Sequence, residues 1–224
     1  MAPPPPAGLG ASVSRVPLVP TAHLEAGVRD GARRLCVQAF DGSFSSEDWT
    51  HALGGLHAVL LHGGWSEGGS EGGSGGRSQG GDRAGEGRRD PVAPVVAHGA
   101  LVARRFLHGP PGRERSLRVG YVEAVAVASD LRRRGLASRV MESLESLAPG
   151  HDLLALSASA QARALYLARG WTPWAGPTAV LTPSGVQATP DEDDGVLLLP
   201  GTLDPASLDR AHPLVCDWRD GDVW

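Results

Sequence analysis

The sequence predicts an α+β domain built on a central mixed, mostly antiparallel sheet flanked by helices. Three observations carry this expectation: two helical patterns near the start, an antiparallel strand run after them, and a strand–helix–strand–helix–strand alternation in the second half. Residues 1–20 open with a Pro/Ala run and read as a disordered tail, leaving 21–224 as the folded domain. Over 27–40, Val28, Ala32, Leu35, Val37 and Ala39 recur at helical spacing and predict a first helix. Ser45 stands three residues before Asp48, the pattern of a capped second helix, which Gly54-Gly55 ends. Residues 57–61 read as a short strand. The segment 63–90 holds 12 of the 31 glycines, mixed with Ser, Glu and Arg. It offers too little apolar surface to offset the entropy of ordering it, so a disordered insert in a hairpin is expected. Residues 95–106 and 117–127 read as strands around a turn at 109–112. Helix follows at 135–147, with Leu136, Val140, Leu144 and Leu147 on one face, then a buried strand at 151–156. An Ala/Leu-rich helix at 159–169 closes on Gly170, and 178–181 and 196–199 are further strands.

Composition narrows the function classes. A length of 224 residues suits one domain, and 41% apolar residues suffice for a core. No apolar run reaches the ~18 residues of a membrane span. The first twenty residues carry one charge, Arg15, and no apolar signal region, so a soluble, cytoplasmic protein without a membrane partner is expected. Lys, Ile and Asn are absent and all 21 basic residues are Arg, as in a G+C-rich genome. This excludes Schiff-base catalysis and a P-loop lysine. A net charge of −4 with no basic stripe argues against nucleic acid. Cys36 falls on the apolar face of the first helix and reads as core, and the eight histidines show no ligand spacing, so no metal is expected. Acidic residues collect late, at 191–194, Asp209, Asp217, Asp220 and Asp222; composition leaves open a solvated face or a site for a cationic ligand.

The chemistry concentrates where Tyr121-Val122-Glu123-Ala124-Val125-Ala126-Val127 is followed by Arg132-Arg133-Arg134-Gly135-Leu136-Ala137. A strand here ends in a tight basic loop and a helix starts directly after it. Free N–H groups at a helix N-terminus, with the helix dipole behind them, suit a pyrophosphate. The spacing Arg-x-x-Gly-x-Ala resembles the acetyl-CoA loop of the GNAT superfamily. That resemblance implies a sheet splayed at the acetyl-CoA site, with the main chain of Val125, Ala126 and Val127 pairing with the pantetheine arm. It implies the diphosphate on Arg132, Arg133, Arg134, Gly135, Leu136 and Ala137, with Ser157 nearby. The run Ala162-Arg163-Ala164-Leu165-Tyr166, followed by Gly170-Trp171, resembles the superfamily's late helix, which makes Tyr166 the general acid for the departing thiolate. Glu123, two residues before the strand end, is the expected base, because an ammonium cannot attack a carbonyl.

Further blocks are similar to the aminoglycoside 2′-N-acetyltransferases of mycobacterial type: Phe40-Asp41-Gly42-Ser43-Phe44, Asp48-Trp49, Gly120-Tyr121-Val122-Glu123, Thr189-Pro190-Asp191, Cys216-Asp217-Trp218-Arg219 and Gly221-Asp222-Val223-Trp224. This resemblance implies direct transfer from acetyl-CoA to a 2′-amine. Substrate contacts would come from Ser43, Asp48, Glu123, the Ala124 backbone, Asp191, Glu192, Asp193, Asp222 and the terminal carboxylate of Trp224. Ser43 stands where the family carries an Asp, which removes a charge from that contact. A homodimer is also implied. Two alternatives remain at this level: the same fold acting on another amine, such as a cell-envelope amino sugar, and a non-catalytic acyl-CoA- or drug-binding protein.

Overall fold

The computed structural model describes residues 15–63 and 93–224. Strand β1 (Leu18–Pro20) leads through a single helical turn into helix α1 (Ala26–Ala39), helix α2 (Ser46–Ala52) and strand β2 (Leu56–Leu61). Two long strands, β3 (Val95–His108) and β4 (Arg115–Val127), form the centre. Helix α3 (Leu136–Glu145), strand β5 (Leu153–Ser157) and the short helix α4 (Arg163–Leu167) follow. The chain ends in β6 (Thr172–Pro173), β7 (Thr178–Thr182), β8 (Gly185–Ala188), β9 (Val196–Pro200) and β10 (Leu214–Asp217). The sheet runs β6-β9-β5-β4-β3-β10-β7-β8, with β2 paired to β3 and β1 to β2. Only β4–β5 and β10–β7 are parallel, so the expected mixed, mostly antiparallel sheet is present.

Alternation along the strands decides which helix covers which face. Val59 and Ala100 pack with Val28, Ala32, Leu35 and Trp49 of α1 and α2, whereas Ala58, Leu60 and Leu101 pack with Val140, Met141 and Leu144 of α3. The other end of the sheet closes over a second core of Phe106, Trp174, Leu198, Leu214 and Trp224. Gly99 is required by this layering: a Cβ there would lie 2.7 Å from Cγ1 of Val140 and push α3 off the sheet. Cys36 is fully buried, as its helical position predicts, and burial pushes its thiol up to about 12. Among the described residues no helix is long and apolar enough to cross a membrane.

Several expectations change. The tail does not extend to Pro20, because Leu18, Val19 and Pro20 pair with β2 and Val16 is 2% exposed. Their apolar side chains find the edge of β2, which propensity alone does not show. Residues 1–14 of that tail and 64–90 of the expected insert lie outside the described residues. The late helix is shorter than expected: the chain at 159–162 turns before α4 begins. Strands β6, β8 and β10 were not legible, since each has four residues or fewer and takes its conformation from its neighbours.

Candidate active site

The site begins as a defect in the sheet. Val119, Gly120 and Tyr121 of β4 pair with Leu153, Leu154 and Ala155 of β5, and the pairing stops there. From Val122 onward β4 pairs, among the described residues, with β3 alone, so the two parallel strands part and leave β4 main chain without a strand partner on that side. At the same level the β3–β4 register shifts between His98 and Ala100, and Ala124 takes φ +52. This is a β-bulge, which turns the strand and re-aims its backbone groups. The Ala124 carbonyl accepts from His98 Nδ1 at 2.9 Å and from the Cys36 thiol at 3.7 Å, so the bulge is anchored from the buried side.

Two adjoining cavities occupy the opening. The larger, about 710 Å³, runs along Val125, Ala126 and Val127 past Arg132 and Ala137 to Leu165 and Tyr166. Its far end meets the start of α3, where Gly135 (φ +78) supplies the left-handed turn and no capping side chain, and the first turn holds no acidic residue. The leading N–H groups therefore remain available to an anion. Arg132 donates from Nη2 to the Ala39 carbonyl at 3.2 Å, while Arg133 and Arg134 are exposed. Leu136 turns its side chain to the core and offers the loop only backbone. These residues fit the diphosphate and pantetheine of acetyl-CoA.

The smaller cavity, about 260 Å³, is walled by Ser43, Asp48 and His51, by β4 from Tyr121 to Val125, by Ser157 and Tyr166, and by Arg219, Asp222 and Trp224. Ser43, Val125 and Tyr166 belong to both cavities. Tyr166 is 6% exposed, and burial pushes its phenol up to about 12, so it holds its proton at neutral pH. Its ring packs edge-on against Trp171 at 6.0 Å, and Trp171 Nε1 donates to Glu145 at 2.8 Å. Burial raises Glu123 above the usual carboxylate range, partly offset by the Arg219 guanidinium, which donates from Nη1 to Oε1 at 2.5 Å. Asp48 closes the capping box of α2 by accepting from the Ser45 N–H at 2.8 Å. Asp222 accepts from the Trp224 N–H at 3.0 Å.

A profile of the acetyltransferase (GNAT) family matches residues 87–171. The aminoglycoside 2′-N-acetyltransferase of Mycolicibacterium fortuitum is 45% identical over 210 residues, covering 92% of this chain and 90% of that protein. The chain belongs to the aminoglycoside 2′-N-acetyltransferase family. It is therefore a GNAT acetyltransferase. Solved structures match more loosely: Escherichia coli ElaA at 14% identity and a TM-score of 0.45, covering 81% of this chain and 95% of that one. A conserved protein of Enterococcus faecalis matches at 14% identity and a TM-score of 0.45, over 74% of this chain and 33% of that one.

Of the site residues expected in this acetyltransferase, the structure gathers Ser43, Asp48, Glu123, Ala124, Ser157, Tyr166, Asp222 and Trp224 around one cavity. The acidic loop is arranged differently. Asp193 accepts from the Thr178 N–H and hydroxyl, both at 2.7 Å, and so fastens β7, while Glu192 accepts from Ser157 Oγ at 3.1 Å. Neither they nor Asp191 stand in the cavity wall. Ser43 spends its hydroxyl proton on the Phe40 carbonyl at 2.6 Å. The sequence reading assigned no role to Arg219, Tyr121 or Arg104. Arg104 is 5% exposed and holds the last segment through Asp217 Oδ1, the Asp217 carbonyl and the Val223 carbonyl. The signal for Arg219 was its place inside the terminal block Cys216–Trp224, but nothing local points to a partner on β4.

Proposed function

We propose that this protein transfers the acetyl group of acetyl-CoA directly to the 2′-amine of an aminoglycoside, in a ternary complex and without an acyl-enzyme. The observation that carries the reading is the meeting of Asp48, Glu123 and Asp222 with Tyr166 in a cavity that adjoins the cleft along Val125, Ala126 and Val127. Aminoglycosides are polyamines, and carboxylates recognise them through charge-assisted hydrogen bonds. The relative from Mycolicibacterium fortuitum, named for this reaction, supports the choice of amine.

In this reading Val125, Ala126 and Val127 hold the pantetheine arm by main-chain pairing. Arg132 and the N–H groups from Gly135 to Ala137 hold the diphosphate, with Arg133 and Arg134 adding charge. Glu123 accepts the proton of the attacking amine as nitrogen bonds to the thioester carbon. Backbone N–H groups near Val125 meet the negative charge that develops on the carbonyl oxygen. The carbon–sulfur bond then breaks, and Tyr166 gives its proton to the departing thiolate. The family resemblance further supports a cytoplasmic homodimer acting on a small molecule, with no nucleic-acid or membrane partner.

The test is coenzyme A release measured across aminoglycosides that carry an amine or a hydroxyl at the 2′ position. Release confined to the 2′-amino compounds is expected. Equal release from both groups would remove the regiochemical claim, and no release from either would remove the reading as a whole.

A further inference from the structure

A carboxylate placed beside an incoming polyamine creates a conflict. It attracts the amine as an ammonium, yet an ammonium has no lone pair with which to attack. The site holds a cation at this point. Arg219 donates from Nη1 to Glu123 Oε1 at 2.5 Å, from Nε to the Asp222 carbonyl at 2.8 Å and from Nη2 to the Trp224 backbone oxygen at 3.0 Å. Its side chain is 14% exposed, its guanidinium lies 5.5 Å from the Tyr121 ring centre, and it lines the same cavity as Tyr166. The other Glu123 oxygen, Oε2, has no hydrogen-bond partner among the described residues. One oxygen is thus clamped while the residue lines the cavity.

We propose that Arg219 is a positioning residue that clamps Glu123 to the final segment of the chain and, by its fixed positive charge, favours the reacting amine beside Glu123 as the uncharged base. The proposal rests on Glu123 being the base in the reaction proposed above. The groups that face Arg219 come from several elements: Glu123 and Tyr121 from β4, Arg104 from β3, Asp48 and His51 from α2, and Asp222 after β10. Arg104 is committed to Asp217 and two backbone oxygens. His51 is held toward its neutral form by burial and then by Arg219, and its Nε2 donates to the Asp220 carbonyl at 2.7 Å. Tyr121 is buried and keeps its proton. What remains at Glu123 is its ion pair with Arg219, which also holds the Trp224 end of the chain, with Asp48 and Asp222 as further carboxylates of the cavity that no guanidinium contacts among the described residues. Ammonium groups of the substrate gain at Asp48 and Asp222 and gain less at Glu123, where the Arg219 charge opposes them. Charge complementarity thereby sorts the amines of one molecule into those that anchor and the one that reacts.

The experiment compares wild type with Arg219→Gln and Arg219→Lys, reading kcat against pH at saturating acetyl-CoA with a 2′-amino aminoglycoside. Arg219→Gln should move the acid limb of kcat upward by about one pH unit or more, with kcat near pH 7 falling roughly tenfold per unit. Arg219→Lys keeps the charge and loses the fork, so the limb should stay near wild type while KM for the aminoglycoside rises several-fold. KM for acetyl-CoA should hold in both. A merely structural role would lower kcat equally at every pH and leave both limbs in place, which overturns the proposal. Should Arg219→Gln fail to fold, wild-type calorimetry at pH 7 in buffers of different ionisation enthalpy decides. Binding of the 2′-amino compound should release more protons than its matched 2′-hydroxyl analogue, and equal release overturns the proposal. If wild type itself does not distinguish those two substrates, the proposed function falls; if it does and the limb is unshifted, only the role of Arg219 falls.

Discussion

Tyr166, the acid of the proposed reaction, shows how far a side chain's setting depends on residues behind it. Its ring rests on Trp171, Trp171 donates to Glu145, and Glu145 is clamped by Arg169 at 2.8 and 2.5 Å. The phenol is thereby fixed at the junction of both cavities. Tyr166→Phe preserves that packing and removes only the proton. Turnover at saturating substrates is expected to fall roughly 10²-fold, the low end for loss of a positioned acid, with acetyl-CoA affinity unchanged. Turnover within a factor of two of wild type would make Tyr166 a packing residue. Glu123 and Tyr166 were legible in the sequence because each sits inside a short motif. Arg219 was not, because it meets Glu123 across 96 positions of chain, and only the seating of β10 beside β3 brings the two together.

At the scale of the element, the decisive feature is the bulge in β4. Gly inside a strand ordinarily costs about 0.5–1 kcal/mol, but a left-handed backbone costs an L-residue about 1–2 kcal/mol, and Ala124 has φ +52. Ala124→Gly should therefore be neutral or stabilising by up to about 1 kcal/mol, read from urea unfolding midpoints. A loss as large as Gly causes in a regular strand would show that the bulge is not strained. The β2–β3 hairpin makes a second prediction. Leu61 pairs with Val95, and His62 N–H donates to the Pro94 carbonyl at 2.8 Å, so the two strands already meet where the Gly-rich segment leaves and returns. Replacing residues 65–91 by a short turn should keep fold and activity, because closure entropy changes only slowly with loop length. Loss of soluble or active protein would assign that segment an ordered role.

Across the whole molecule, a buried chain of hydrogen bonds ties the start of the fold to the bulge. Thr21 Oγ1 lies 2.7 Å from His57 Nε2, His57 Nδ1 lies 3.0 Å from His98 Nε2, and His98 Nδ1 meets the Ala124 carbonyl. A carbonyl only accepts, so His98 carries its proton on Nδ1 and His57 donates from Nδ1, while the Thr21 hydroxyl proton is shared between His57 Nε2 and the Gly55 carbonyl at 3.2 Å. Both rings are neutral, and burial depresses each from 6.5 to about 4. The unfolded chain therefore binds more protons than the native one between those values. The contribution is complete above pH 6.5 and is lost as pH falls through the folded values near 4, by on the order of a few kcal/mol for the pair. Unfolding midpoints should drop steeply between pH 6.5 and 4, and His57→Gln should flatten that drop. An unchanged slope in the variant would remove the pair from the acid response.

The sequence by itself determined the α+β class, the central hairpin, the capped second helix and the turn into α3 at Gly135. Each is written in a local run whose spacing reflects helix or strand geometry, so neighbours in sequence suffice to read it. The tertiary structure alone decided the bulge at Ala124, the placement of the short strands β1, β6, β8 and β10, the commitment of Asp193 to Thr178, and the Glu123–Arg219 clamp. Those features come from pairings between distant segments. A four-residue strand or a single ion pair carries too little local preference to declare itself before the sheet has formed.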